Sequence, residues 1–107
     1  QIVAHRIQSV MRIRMTEVYR DWINELKDRS ARARIQVRVD RLAHGNPGQH
    51  RNLTNGLSEL KIDVGPGYRV YYTQRGEELI ILLVGGDKSS QQNDIARAQE
   101  LARNLQE

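Results

Sequence analysis

The sequence predicts an α+β domain with elements in the order β-α-α-β-β-β-α. Three observations predict it. "GLSELKIDVGPGYRVYYTQRGEELIILLVGGDKSS", from Gly56 to Ser90, reads as three strands joined by two tight, glycine-marked turns. Ahead of it, two segments carry apolar residues at helical spacing; behind it, a third does the same. At 107 residues the chain supports one compact domain, residues 1–107, with about two-thirds of its surface buried.

The elements follow in order. In Met11–Met15, "MRIRM", apolar and basic residues alternate, which reads as a short strand with one buried face. Gln1–Val10 either extends that strand or stands upstream of a start at Met11. Thr16 then caps a helix, "TEVYRDWINELKD", with Glu17 near the positive end of its dipole. Val18, Trp22 and Leu26 recur at i, i+4 and i+8, and Tyr19 and Ile23 widen the stripe, so Trp22 reads as a core anchor.

Ser30 opens "SARARIQVRVDRLAHGNPG", where two periods compete. Ile35, Val37 and Val39 alternate like a strand; Ala31, Ile35, Val39 and Leu42 repeat like a helix. The helical pattern covers more of the segment, takes Ser30 as its N-cap and ends on Gly45 before Asn46-Pro47-Gly48. Helix is therefore the reading, and Lys27–Ser30 becomes the turn of an antiparallel helix pair. Arg32, Arg34, Arg38 and Arg41 then form a solvated outer face. Gln49–Asn55 reads as a polar loop holding His50 and Arg51.

Leu60, Ile62 and Val64 share one face of the next strand, and Glu59, Lys61 and Asp63 share the other. Gly65-Pro66-Gly67 forms a turn, after which Tyr68, Val70 and Tyr72 alternate with Arg69, Tyr71 and Thr73. A symmetric turn at Pro66 sets Val64 opposite Tyr68, Ile62 opposite Val70 and Lys61 opposite Tyr71. A two-residue turn at Arg75-Gly76 sets Tyr71 opposite Ile80 and Arg69 opposite Leu82. "LIILLV" is apolar on both faces and so runs inside the sheet, with Met11–Met15 along its free edge. Ser89 or Ser90 caps the last helix, Gln92 completes a capping box, and Ile95, Ala98, Leu101 (or Ala102) and Leu105 face inward.

Composition narrows the function. The chain has no cysteine, which excludes disulfides and thiolate metal sites and fits a reducing cytoplasm. Its longest apolar run, Leu79–Val84, falls far short of the ~20 residues that span a bilayer. The opening residues have no signal-peptide pattern. Seventeen Lys and Arg against thirteen Asp and Glu leave a net charge of +4, which suits a polyanion such as nucleic acid or an acidic protein. Three dispersed histidines without cysteine argue against a metal site, and no cofactor is expected.

In the strand register above, Lys61, Arg69 and Tyr71 lie on the face opposite Leu60, Ile62 and Val70, and Lys88 follows the central strand. A plain explanation exists: Asp63 pairs with Arg69 across the strands, Lys61 is a polar residue on an open face, and Lys88 is a solvated loop residue. The functional explanation is that three cations converge to hold a phosphodiester, with Tyr71 offering a ring for base stacking. Clustered cations also suit RNA self-cleavage, in which a 2′-OH attacks the adjacent phosphate and the developing charge needs stabilising.

"SELKIDVGPGYRVYYTQRGEELIILLVGGDKSSQQNDIARAQELA" resembles the RelE/ParE toxin superfamily, in particular its HigB-like branch of addiction-module killer proteins from type II toxin–antitoxin systems. The resemblance covers roughly Met11 to Leu105, and its most specific portions are "GPGYRVYY" and "GGDKS…DIARA". It implies a small curved, mainly antiparallel sheet with a helical hairpin on one face and a C-terminal helix, and it favours helix at Ile35–Val39. It also implies a cytoplasmic, ribosome-dependent mRNA endonuclease that works without a metal, leaving a 2′,3′-cyclic phosphate and a 5′-OH. The implied partners are a cognate antitoxin, the ribosome with its mRNA, and operator DNA for the toxin–antitoxin complex.

Carried over by position, Arg69 matches the arginine on the scissile phosphate, Lys61 a strand lysine in proton transfer or charge stabilisation, and Lys88 the basic residue after the last strand. These three are the expected catalytic residues; Tyr71, His50 and Arg51 are the expected substrate contacts. The sequence departs from the pattern at Glu59, where a second basic residue is common, and near Asp94, where a tyrosine is. The general base is left between Lys61, whose pKa would have to be lowered by its cationic neighbours, and His50, which titrates in range. His44 and His5 read as incidental. The competing class is a ParE-like toxin that poisons DNA gyrase through protein contacts and does not depend on the basic cluster.

Overall fold

The computed structural model describes residues 10–105. Its elements are β1 (Arg12–Met15), α1 (Glu17–Glu25), α2 (Arg29–Ala43), β2 (His50–Asn52), β3 (Leu57–Ile62), β4 (Tyr68–Arg75), β5 (Leu79–Asp87) and α3 (Gln91–Arg103). The strands form one open sheet in the order β1-β5-β4-β3-β2. β1 runs parallel to β5, and every other neighbouring pair is antiparallel. The α+β class and the expected order hold, with β2 as an addition. Apart from Val10, the reading of residues 1–10 as an extension lies outside the described residues.

The helix ends follow local chemistry. The Thr16 hydroxyl accepts from the Tyr19 N–H, as an N-cap does, and also donates to the Leu83 carbonyl at 2.6 Å, fixing α1 to β5. The cap of α2 is Asp28, not Ser30: its carboxylate accepts from the Ala31 N–H at 3.1 Å, so the helix begins earlier than expected. α2 ends as the sequence implies. Gly45 adopts φ +87°, its N–H reaches the Leu42 carbonyl, and the Asn46 N–H reaches that of Arg41. At α3 the cap is Ser90 without a side-chain cap bond; Ser90 instead closes a capping box with Asp87 around the 3₁₀ turn Lys88–Ser90. Gln92 takes no part in that box.

Both hairpin registers differ from the expected ones. Ile62 faces Tyr68, Leu60 faces Val70 and Lys61 faces Arg69. Gly65 and Gly67 both take positive φ, and the turn closes through Gly67 N–H to the Val64 carbonyl, so Asp63 to Gly67 all belong to the loop. A shift of two residues leaves every side chain on its expected face. The second turn spans Gly76 to Glu78, with Arg75 facing Leu79. A bulge then intervenes, because Tyr72 faces Leu82 whereas Tyr71 faces Val84. Tyr71 therefore does not face Ile80, and Arg69 faces Gly86 rather than Leu82.

Two apolar cores lie on the two sides of the sheet. Leu60, Ile62, Tyr68, Val70 and Tyr72, with Ile80 and Leu82, pack under Tyr19, Ile23, Ile35, Val39 and Leu42 of the helix pair. Trp22 joins this core half-buried, its ring 6.3 Å from that of Tyr68. On the opposite side Leu57, Tyr71, Leu79, Ile81 and Leu83 pack against Ala98, with Ile95, Leu101 and Leu105 beside it. The face expected to lie open is thus largely covered by α3. β5, apolar on both sides and flanked by β1 and β4, serves both cores.

Candidate functional site

Lys61 and Arg69 are direct partners across β3 and β4, so their side chains leave the sheet on one face. Lys88 reaches the same place from the turn after β5. Gly67 marks the meeting point: a β-carbon there would lie 3.6 Å from Arg69 Nη1 and 3.6 Å from Lys88 Cβ. The three predicted cations therefore gather at one end of the sheet. Lys61 is half-buried and Lys88 exposed, and neither has an ion pair among the described residues.

Arg69 is different, being only 6% exposed. Its Nε lies 3.3 Å from Glu59 Oε1, an ion-pair distance without hydrogen-bond alignment. Its Nη1 donates to the Tyr68 carbonyl at 3.0 Å and stands 3.8 Å from Asp63 Oδ1. The Asp63–Arg69 pair that the sequence suggested does form, although the two residues are not cross-strand partners.

Glu59 is the hub. The side chain is fully buried, and Oε2 accepts from Arg51 Nε at 2.9 Å, with Arg51 Nη2 at an ion-pair distance of 2.8 Å. Oε1 accepts from Gln91 Nε2 at 2.7 Å. One carboxylate thus ties together the edge strand, a central strand and the start of α3. A buried carboxylate held this way is compensated by several partners at once. The position reads in the sequence as a departure from a basic residue; the structure makes it the anchor for two arginines.

The other expected contacts divide. Arg51 joins the cluster through Glu59. His50 does not: it pairs with Leu60, so it leaves the sheet on the opposite face, and its Nδ1 lies 2.8 Å from the Gly48 carbonyl. The loop expected at Gln49–Asn55 is partly a strand here, because Arg51 is gripped by Glu59 and the backbone pairs with β3 despite three exposed side chains. Tyr71 is fully buried beneath α3, so its ring offers no stacking surface. Burial, and then the Glu59 and Asp94 carboxylates, push its phenol above the usual range, with Arg69 and Arg51 pulling the other way. Its hydroxyl has no hydrogen-bond partner among the described residues.

Two further residues shape the site without having been anticipated. Gly85 lies beneath the Trp22 indole, and Gly86 beneath the Asp94 carboxylate, which also accepts from Ser90 Oγ. Among the outer arginines of α2, two are not solvated. Arg32 donates to the carbonyls of Asn24 and Leu26 at the end of α1. Arg38 donates to those of Lys61, Pro47 and Gln49. Among the described residues, no three His, Cys, Asp or Glu side chains converge as metal ligands would. Chemically, the site offers two lysines without ion pairs among the described residues, on the same end of the sheet as a clamped guanidinium: a set of cations that suits a phosphate and charge developing on it.

The family model described as phage derived protein Gp49-like (DUF891) matches residues 21–106. The chain is also similar to an uncharacterized protein of Haemophilus influenzae (strain ATCC 51907 / DSM 11121 / KW20 / Rd). The two are 43% identical over 95 residues, which cover 89% of this chain and 96% of that protein.

Proposed function

The chain belongs to the Gp49-like family of phage-derived proteins, and on that footing we propose that it is the toxin of a type II toxin–antitoxin pair, a HigB-like member of the RelE/ParE superfamily acting as a ribosome-dependent mRNA endonuclease. The observation that carries the reading is the meeting of Lys61, Arg69 and Lys88 at one end of the sheet, with both ammonium groups unpaired among the described residues.

The proposed step needs charge stabilisation above all. The ribose 2′-oxygen bonds to the neighbouring phosphorus as the bond to the 5′-oxygen breaks. The 2′-hydroxyl proton leaves to a base, and a proton is delivered to the departing 5′-oxygen. Lys61 and Lys88 carry the stabilisation of the equatorial oxygens, and Arg69 lends the part of its guanidinium that Glu59 and Asp63 leave free. His50, on the far face, is not the base of this scheme. The toxin acts in the cytoplasm on mRNA in the ribosome, and a cognate antitoxin restrains it; the pair binds operator DNA.

One observation favours a second reading. Arg69 is already compensated by two carboxylates, and Tyr71 lies under α3, so the face offers RNA less than the sequence promised. A ParE-like gyrase inhibitor needs neither. Brief expression followed by mapping of mRNA 5′ ends, with gyrase–DNA adducts assayed in parallel, separates the two. Cuts at codon positions that vanish in Lys88→Ala support the nuclease; intact messages with gyrase adducts support the inhibitor.

A further inference from the structure

We propose that the outer face of α2 and the exit of β3 form a docking groove for an acidic, amphipathic segment of another protein. The groove has a volume of about 400 Å³. Its lining includes three aliphatic side chains: Val37, 48% exposed, the buried Ile62 and the half-buried Val64. Its rim is cationic, with Arg34, Arg38 and Arg41 along the same helical stripe as Val37.

Charge identifies the occupant. The one carboxylate lining the groove is Asp63, which is engaged at 3.8 Å with Arg69 outside it. Arg34 and Arg41 are exposed and have no ion pair among the described residues. Arg38 cannot swing away, since three backbone carbonyls hold its guanidinium at 2.7, 3.0 and 2.8 Å. Burial and then the neighbouring Arg41 charge weaken its hold on its proton, while the Asp63 carboxylate works the other way. One held guanidinium beside two exposed, unpaired arginines, with aliphatic residues in the same lining, suits a partner that brings carboxylates to the arginines and aliphatic side chains to Val37 and Val64.

Nucleic acid fits less well, because among the described residues no aromatic ring lines the groove to receive a base. The stripe from Ser30 to Arg41 is about 16 Å long, the length of some three helical turns. The inference stands apart from the nuclease reading, since none of Lys61, Arg69 and Lys88 lines the groove.

The test is a titration of the ¹⁵N-labelled full chain, read by amide chemical shifts. Three probes are used: a synthetic amphipathic peptide of about 14 residues with leucines on one helical face and glutamates flanking them, its Gln-for-Glu counterpart, and a uridine oligonucleotide of equal charge. The expected result is a saturable shift confined to residues 30–41 and 62–64 with the acidic peptide. Binding should weaken at least tenfold with the uncharged peptide, and as much in the Arg34→Glu/Arg41→Glu variant, whose dispersed spectrum shows it folded. No saturable shift at these residues, equal binding of both peptides, or an undiminished double variant overturns the proposal. Equal or tighter binding of the oligonucleotide there overturns it in favour of nucleic acid.

Discussion

The carboxylate of Asp94 lies across Gly86, where a β-carbon would collide with Oδ2. The preceding residue, Gly85, faces the other way and lies under the Trp22 ring. Adjacent strand residues point to opposite faces, so the glycine pair at the end of β5 admits α1 on one side and α3 on the other. Gly85→Ala is expected to cost about 1–3 kcal/mol by overpacking against a rigid indole. Gly86→Ala should cost less, because a carboxylate at the end of a side chain can swing aside. Urea midpoints at unchanged m report both; equal losses would show that the nature of the obstacle is irrelevant.

Glu59 makes a sharper prediction. Glu59→Ala removes the common partner of Arg51, Arg69 and Gln91, leaving a nearly buried guanidinium short of its countercharge. Breaking such a pair costs about 3–5 kcal/mol. Glu59→Gln keeps the shape and one acceptor oxygen, so its loss in thermal unfolding should be clearly smaller. Arg51→Ala should be mildest of the three, since that side chain is 48% exposed and its role is to close the edge strand. A Glu59→Ala protein as stable as the parent would mean that the network adds nothing.

Parity explains how far the sequence carried. The expected and observed first hairpins differ by two residues, and an even slip keeps Leu60, Ile62, Val70 and Tyr72 under the helix pair and Lys61 beside Arg69. Helical spacing located α1, α2 and α3 for the same reason: a long amphipathic stripe averages over local exceptions. β2 was not legible, because its three residues are all exposed and carry no alternation.

The covering of Tyr71 was foreshadowed by two features that were not connected. The strand "LIILLV" is apolar on both faces, and the stripe Ile95, Ala98, Leu101 needs an apolar surface; each is the other's partner. The hub at Glu59 had no local signal, since Arg51, Arg69 and Gln91 come from three separate elements.

Alkaline pH tests the burial of the tyrosines. The Tyr71 phenol is raised above its ordinary range mainly by burial, and so is that of Tyr19. Below the ordinary tyrosine pKa of about 10 both states keep the proton and the stability is intact. As pH rises past that value the unfolded phenols ionise first, so stability falls progressively toward the higher folded pKa values. Tyr71→Phe removes an ionisable group and a buried hydroxyl that has no partner among the described residues. It should unfold no more easily at neutral pH, gaining about 1 kcal/mol or less, and lose less urea resistance between pH values of about 9 and 11. On the nuclease reading it should also stay fully active, since the ring is closed to RNA.

The cation series decides whether the cluster is chemistry or architecture, provided stability is measured beside activity. Lys88 is exposed and unpaired among the described residues, so Lys88→Ala should shift stability by no more than about 0.5 kcal/mol. On the nuclease reading it nevertheless lowers the cleavage rate by about 10²–10³-fold, the scale of losing one group that stabilises developing charge. Arg69→Ala cannot serve alone, because it also takes a countercharge from the buried Glu59 and so weakens the fold. Arg69→Lys keeps a positive charge near both carboxylates but lacks the fork that reaches Tyr68 and a phosphate together. A folded Arg69→Lys that loses cleavage while melting near the parent temperature would assign Arg69 a part in the reaction. A folded Lys88→Ala that arrests growth and cuts mRNA like the parent would leave the cluster a purely structural one.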